Sequence, residues 1–472
     1  MTAELVRALP FAEGARAVDA GSRRSWTVAF LAIVAIACTS ATLWLTSLTS
    51  PYVPKFDEWQ VFVPPLTGEE PIDAKWLWRQ LNEHRAFLPK LAYLASVQST
   101  GDFRGGAFLN GLVLAAIAIA GMWVARVRRG VSKPSDAFFP LILLHWGQTH
   151  LFFLGVALNF TVTYLFGYSA MFATMIASPS RLRGAATWVT VAAICMVVSS
   201  LMGVLLALPW VGWLVVRAWR STADDTPGDR GLLVVLALLI VAAIAFYFWG
   251  FHLPGQRPGP PPPSRSLLDR VWMLCVLLAL SLGWLGRALG PGAGVLVGVL
   301  GCVVGVVLVA RVRERPAESA PAGLLCTLAG AALVLVGVSN GRSQFSGEAL
   351  WATTRYATLS IPILVVAYCA AFELRRGGPA LQRALAVLAF VVFLGPFVPF
   401  VHYPWAQAYV RDIAGVERDL VIRLRGGESS LSVARDFFRH ENGYDPELGA
   451  RWIDMLRRSH MGPFAPRDGD RS

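Results

Sequence analysis

The stretch WTVAFLAIVAIACTSATLWLTSL, residues 26–48, is followed shortly afterwards by the segment KFDEW, residues 55–59. An apolar run of this length can cross a bilayer, because about 20 helical residues cover the hydrocarbon core. Prolines surround the exit from this run, and they stiffen the chain that leads to the two acidic residues. The first predicted span therefore delivers an acidic pair, Asp57 and Glu58, to the membrane surface.

The composition of the whole chain agrees with this beginning. Of 472 residues, 55% are hydrophobic and only 15% are charged, and the mean hydropathy is +0.53. Soluble proteins carry about 25% charged residues, so the composition excludes a soluble globular enzyme and a disordered chain. We expect an all-α polytopic membrane protein.

Eleven apolar runs have the length expected of spans, and a twelfth run at 268–286 is ambiguous. The eleven predicted spans are 26–48, 106–125, 137–153, 155–177, 185–200, 202–217, 231–249, 291–310, 322–339, 357–374 and 384–401.

The formal net charge of +12 indicates how these spans are oriented. Basic residues flank every second predicted span, and the positive-inside rule places such loops in the cytoplasm. This puts the segment 1–25 in the cytoplasm and the tail 402–472 outside the plasma membrane, with 268–286 as a re-entrant or interfacial segment. Because the positive excess lies mainly on cytoplasmic loops, no nucleic-acid partner is expected.

The predicted outer loop, residues 49–105, carries the polar residues most suited to chemistry. A carboxylate of Asp57 or Glu58 could act as a general base or ligate a divalent cation such as Mg²⁺ or Mn²⁺. The alternative is that both are simply solvated on the loop. Further along, helices are predicted over 73–85, with Asp73 as N-cap, and over 89–99, both lying in the membrane interface. A dense polar cluster falls between them: Asn82, Glu83, His84, Arg85 and Lys90.

These segments resemble the GT-C superfamily of membrane glycosyltransferases, over residues 26–401. Phe56-Asp57-Glu58-Trp59 stands where that superfamily has an Asp/Glu motif, and Asn82-Glu83-His84-Arg85 with Pro89-Lys90-Leu91 looks like the "NEHR…PRL" pattern of a bacterial GT-C-like group. His145 to His150, with Asn159, falls where that group has a Gln-rich pattern, but Thr149-His150 departs from it. Arg355-Tyr356 is similar to the group's "RY" element.

The resemblance implies a glycosyltransferase that uses a polyprenyl-phosphate-linked sugar on the outer face. The acceptor would be a hydroxyl of a glycan, a lipid or a protein. Asp57 is the first choice of base and Glu58 the second, and direct displacement would invert the anomeric carbon. Arginines can bind the phosphate leaving group bidentately. The predicted substrate-binding residues are Asn82, Glu83, His84, Arg85, Lys90, Gln148, His150, Asn159, Arg342, Arg355 and Tyr356.

Two other functions stay open at this point. A transporter or lipid flippase would carry ionisable residues near the centres of its spans and paired broken helices. Here the acidic residues gather outside the span centres, which favours chemistry at the outer face. A polysaccharide ligase or polymerase would also use lipid-linked sugar, but its reactive Arg and His residues would lie in a large late outer loop.

The orientation can be tested with a reporter fused after Pro316. We expect a cytoplasmic signal, because Arg311, Arg313 and Arg315 precede this position. An external signal would make 268–286 a complete span.

Overall fold

The computed structural model describes residues 23–50, 52–178, 181–220, 229–252, 266–342, 351, 353–372, 378–395, 415, 418–440 and 445–464. Within these ranges the chain is helical, and the β-pairing is an isolated bridge between Leu81 and His84. The predicted all-α class is confirmed.

The helices are α1 (Arg23–Thr49), α2 (Asp57–Leu66), α3 (Ala74–Trp78), α4 (Phe87–Thr100), α5 (Gly105–Arg129), α6 (Phe138–Leu143), α7 (Thr149–Phe153), α8 (Leu158–Ile176), α9 (Leu182–Val197), α10 (Leu201–Arg220), α11 (Asp229–Phe248), α12 (Leu267–Ala279), α13 (Gly283–Leu289), α14 (Pro291–Glu314), α15 (Ser319–Gly341), α16 (Ala357–Ala370), α17 (Gly378–Leu394), α18 (Ser430–His440) and α19 (Pro446–Arg458).

Among the described residues, eight helical segments are long and apolar enough to cross a membrane. Three shorter apolar helices accompany them: Leu182–Val197, Thr354–Ala370 and Gly378–Leu394. Several parts of the sequence prediction lie outside the described residues. These are most of the segment 1–25, the proline-rich stretch around 258–263, residues 343–350 and the chain from 396 to 414.

The predicted span 137–153 is not one helix. It consists of α6, a 3₁₀ turn at Trp146–Gln148 and α7. Arg129, at the end of α5, forms an ion pair with Asp136, whereas Asn110, near the start of α5, donates to the carbonyls of Leu151 and Leu154 at 2.9 Å each. The segment therefore runs the length of α5 in broken form, and its freed backbone groups are satisfied by neighbouring helices, as non-helical backbone at membrane depth requires.

The ambiguous run is also interrupted. Leu267–Leu289 has the length and composition of a candidate span, but a 3₁₀ turn at Leu280–Leu282 divides it into α12 and α13. Gly283 follows this turn with φ of 54°, a left-handed conformation that glycine adopts without strain. Its interpretation as a re-entrant segment stays a prediction.

The first outer loop departs from the sequence prediction at three points. The helix predicted over 73–85 ends at Trp78, although Asp73 does cap it and accepts from Trp76 N at 2.7 Å. The following helix begins at Phe87, two residues before Pro89. A further helix, α2, begins at Asp57 itself, and its two prolines lie at its C-terminal end.

The C-terminal helices pack on this loop. Buried side chains of α2, α3 and α4 share a core with α18, α19 and the helical stretch 418–425. This second core is distinct from the larger one inside the helical bundle. The sequence also predicts a helix over 446–459, and the structure confirms it as α19, whereas α18 was not predicted. The first outer loop and the tail therefore lie on the same side of the bundle.

The Arg129–Asp136 pair offers a test of the bundle. The Asp136 side chain is fully buried and also accepts from Tyr368 Oη at 2.8 Å. Asp136→Ala leaves a largely buried guanidinium without its counter-charge, so we expect the free energy of unfolding to fall by roughly 3–5 kcal/mol. Chemical unfolding in detergent measures this change. Tyr368→Phe removes the hydrogen bonds to Ser135 and Asp136 but leaves the ion pair, and should cost about 1–2 kcal/mol; an equal loss in both variants would contradict the ion-pair argument.

Candidate active site

Asp57 is the first residue of α2, directly after a strained position. Phe56, before it, has φ of 45° and ψ of −124°. An aromatic residue in this region costs about 1–3 kcal/mol and persists only where the surroundings impose it. The Asp57 carboxylate is partly exposed, and its Oδ2 accepts from Asn82 Nδ2 at 3.1 Å. The positive end of the helix dipole further favours a carboxylate at this position.

Glu58 points away from Asp57 and is buried, with 3% of its surface exposed. One oxygen, Oε2, accepts from the Lys55 backbone N–H at 3.0 Å, and Oε1 accepts from the Val156 N–H at 2.9 Å. Burial raises the pKa of the Glu58 carboxyl to about 7, although these backbone donors and Tyr93 act in the opposite direction. Glu58 therefore joins the outer loop to the 3₁₀ turn that precedes α8.

This junction requires a glycine. A Cβ added to Gly155 would lie 2.2 Å from the Tyr93 ring and 3.1 Å from Glu58 Oε1. Gly155 therefore lets the backbone of Val156 approach the buried carboxylate. Neither Gly155 nor Tyr93 was predicted as a site residue, and the sequence carries no motif around them that would have indicated it.

Residues 81–84 form a tight turn closed by two hydrogen bonds between Leu81 and His84, at 2.7 and 2.8 Å. Asn82 occupies its tip with φ of 50°, a conformation that Asn tolerates better than most residues. The predicted helix would have placed Asn82 and Glu83 about 100° apart on a helix surface. The turn instead presents both toward the site, where Asn82 contacts Asp57 and Glu83 contacts an arginine.

Glu83 forms an ion pair with Arg342, with 2.7 Å between Oε1 and Nη2. Burial raises the pKa of the Glu83 carboxyl, but His84 and Arg342 outweigh it, so the pKa lies below its ordinary value. Arg342 directly follows α15. The pair therefore links the first outer loop to a helix more than 250 residues further along the chain.

His84 is held between this pair and the bundle. Its Nδ1 accepts from the Leu201 N–H at 3.3 Å, and its Nε2 lies 3.7 Å from Glu83 Oε1. Burial lowers the pKa of His84, and Arg342 and Arg355 lower it further against the opposing effect of Glu83. The ring is therefore neutral near pH 7, with the proton on Nε2 when Nδ1 accepts.

Arg355 lies close enough to His84 to lower the pKa of its ring. Its guanidinium carbon is 5.4 Å from the centre of the Tyr356 ring, which is itself buried. His150 is fixed by Thr354, whose Oγ1 lies 2.8 Å from Nδ1 and also accepts from the His150 N–H at 3.0 Å. His150 and Tyr356 thus support the segment that carries Arg355. Thr354 was not predicted, because a lone threonine gives no signal in the sequence.

The structure corrects the predicted roles of Arg85 and Lys90. The Lys90 ammonium is 2% exposed and donates to the carbonyls of Trp76, Leu77 and Arg79 at 2.9, 3.3 and 2.7 Å. These bonds use all three of its donors. Arg85 donates to the carbonyls of Trp78 and Trp249 and packs over the Trp78 ring. Both cations therefore cap the end of α3 rather than face a substrate phosphate.

Gln148 is likewise committed within the protein. It is fully buried, donates to the Leu143 carbonyl at 2.9 Å and accepts from Thr358 Oγ1 at 3.0 Å. This arrangement is typical of a polar residue that holds two membrane helices together, and it corrects the predicted sugar-binding role. Asn159 differs from Gln148, because it lines a small pocket together with His84, Tyr93 and Val156. Its Oδ1 is buried without a hydrogen-bond partner among the described residues.

The two adjacent carboxylates do not form a metal site. Asp57 is directed to Asn82, whereas both oxygens of Glu58 accept from backbone N–H groups. Within the described ranges, no group of three or more His, Cys, Asp or Glu residues could hold a metal ion. The donor set thus does not fit the Mg²⁺ or Mn²⁺ considered from the sequence.

Comparison with known proteins finds no matching family model and no matching curated protein. Two solved structures are similar: ArnT from Cupriavidus metallidurans bound to undecaprenyl phosphate, with a TM-score of 0.46, and the same protein in the apo state, with a TM-score of 0.43. Each is 15% identical to this chain, and the alignment covers 94% of this chain and 77% of that one. These values describe a loose similarity of helical arrangement, from which no residue role follows.

The buried Glu58 carboxyl predicts a pH dependence of stability. Its pKa is raised from 4.5 to about 7 in the folded chain. The contribution of Glu58 to the free energy of unfolding is therefore fully present below pH 4.5 and is lost as the pH rises through 7. The difference corresponds to roughly 3 kcal/mol. Glu58→Gln cannot titrate and should flatten this part of the curve. Thermal unfolding between pH 4.5 and 8 measures it, and equal pH profiles for both proteins would contradict the assignment.

Proposed function

We propose that this protein is a GT-C-type glycosyltransferase that moves a sugar from a polyprenyl-phosphate donor to an acceptor hydroxyl at the outer face. One observation carries the proposal. Adjacent residues of the 81–84 turn contact a carboxylate on one side and a guanidinium on the other: Asn82 binds Asp57 and Glu83 binds Arg342. Because neighbouring Cα atoms are 3.8 Å apart, the turn sets a general base beside a cation.

Asp57 is the base in this proposal. It is the partly exposed carboxylate of the pair, and Asn82 orients one of its oxygens. Glu58, the second choice from the sequence, ranks behind Asp57 because it is buried and both its oxygens accept backbone hydrogen bonds. A base must come within about 3 Å of the hydroxyl proton, and the partly exposed Asp57 is the more accessible of the two.

Arg342 and Arg355 supply the positive charge for the donor phosphate. A phosphate leaving group departs as an anion, and preorganised cations stabilise the charge that develops on it. Glu83 positions the Arg342 guanidinium, and Tyr356 supports that of Arg355. A neutral His84 between them adds an Nε2–H donor without adding a further charge to repel the arginines.

The reaction is a direct displacement. The acceptor oxygen forms a bond to the anomeric carbon while the bond from that carbon to the phosphate oxygen breaks. The electron pair of the broken bond leaves with the polyprenyl phosphate, and the hydroxyl proton passes to Asp57. Attack from the side opposite the leaving group inverts the anomeric carbon.

The decisive experiment incubates purified protein with a panel of polyprenyl-phosphate sugars and acceptor hydroxyls. Asp57→Asn keeps the size of the side chain but removes the base, so we expect transfer to fall by about 10²–10⁴-fold. Arg355→Gln should mainly weaken donor binding. Glu70→Gln is the matched control, because Glu70 lies on the same loop in a surface ion pair with Arg79.

Equal transfer by wild type and Asp57→Asn would remove Asp57 as the base. Absence of transfer from every donor by the wild type, with and without Mg²⁺ or Mn²⁺, would count against the enzyme. Retention of donor binding in that case would favour a lipid-linked-solute transporter.

A further inference from the structure

We infer that the C-terminal helices α18 and α19 are a positioning element of the active site, holding Asp57 through the aromatic contacts of Trp59. The inference rests on the proposed function for its kinetic consequence, but its structural part stands independently. The tail lies outside the residues 26–401 that carry the resemblance.

Trp59 is the central contact. It lies two residues after Asp57 on α2 and is fully buried. Its ring centre lies 5.2 Å from Phe438 and 6.0 Å from Phe437, both in edge-on geometry, and 6.5 Å from Trp452 in a stacked one. Three aromatic rings from the two tail helices therefore surround one ring of the helix that carries the proposed base. Such geometries are favourable beyond the burial of area alone.

A second contact lies on the other side of Asp57. Lys55 is fully buried, and its ammonium is 5.5 Å from the centre of the Phe437 ring. Lys55 and Trp59 thus bracket the strained Phe56 and the proposed base that follows it. Because a strained conformation persists only where its surroundings determine it, the tail is one of the elements that impose the Phe56 conformation.

The two tail helices act as one unit. A Cβ added to Gly449 of α19 would lie 2.3 Å from the Phe438 ring of α18, so the helices meet closely there. The polar contact between tail and loop, Arg458 with Glu69 at 3.1 Å, is 67% and 45% exposed. Exposed ion pairs contribute little, so the aromatic contact is the stronger of these two contacts between the tail and the loop that carries α2.

The cation side of the site is anchored elsewhere. Arg342 pairs with Glu83 of the first outer loop, and Arg355 packs on Tyr356 at the start of α16. Loosening the tail should therefore affect the base and leave the binding of the phosphate intact. This separation distinguishes a positioning role from general destabilisation.

The test compares Trp452→Ala with the conservative Trp452→Phe in the full-length protein in nanodiscs. For Trp452→Ala we expect kcat to fall by about tenfold to 100-fold, because displacing a reacting group by 1 Å can cost 10²-fold. The Kd for a polyprenyl phosphate that carries no sugar should stay within about twofold, because the anchors of Arg342 and Arg355 are unchanged. Trp452→Phe should restore most of kcat. Arg451→Ala, on the exposed face of the same helix, is the control and should leave both quantities unchanged.

Amide hydrogen exchange gives a readout that needs no enzymatic activity. Trp452→Ala should speed exchange in residues 57–66 and leave 81–85 unchanged, and Trp452→Phe should reverse the effect. If Trp452→Ala does not fold, Phe437→Leu provides the milder perturbation for both measurements. An inactive wild type with the expected exchange pattern would overturn the proposed function and retain the tail as the element that holds α2. Unchanged exchange in 57–66, or a joint loss of kcat and phosphate binding, would overturn the inference.

Discussion

The buried carboxylate of Glu58 is the constraint on which the packing of the 49–105 loop against the helical bundle depends. It receives one backbone hydrogen bond from its own loop, at Lys55, and one from the turn before α8, at Val156. Removing a carboxylate from water is costly, and these directed donors offset part of that cost, while burial still raises the pKa of the Glu58 carboxyl. The two adjacent acidic residues consequently have different roles: Glu58 fixes the loop on the bundle, and Asp57 is left at the surface of the site.

The polar cluster of Asn82 to Arg85 with Lys90 is likewise divided between residues that support the fold and residues that face the site. A helix as short as α3 ends with carbonyl groups that have no partner in the helix. Lys90 and Arg85 donate to these carbonyls, so the residues after α3 need not continue the helix to satisfy them. The resulting turn presents Asn82 and Glu83 to the site. The segment most similar to a glycosyltransferase pattern is therefore part support and part site, and the support is what gives the site its geometry.

The sequence predicted the class of the fold because apolar length and low charge are imposed by the bilayer itself. It did not predict which runs are continuous helices. The run 137–153 is mostly apolar, with polar residues between His145 and His150, and its breaks are compensated by groups such as Asn110, whose distance along the chain hides the contact. Likewise, the composition of 73–85 suits a helix, yet the left-handed Asn82 depends on contacts with other segments. Residues that join distant segments, such as Thr354 and Tyr93, carried no local signal.

The hydrogen bond between Asn82 and Asp57 involves two non-glycine positions with positive φ. Asn82, the donor, is one of them, and Phe56, directly before the acceptor Asp57, is the other. Each is imposed by a different part of the molecule. Glu58 and the tail aromatic rings hold the first, and the Leu81–His84 bridge holds the second. A base oriented by a single flexible loop would lose its alignment whenever that loop moved. Here the orientation of the carboxylate is determined from two sides, by the helix that carries it and by the turn that donates to it, which is the physical basis for proposing a chemical rather than a structural role.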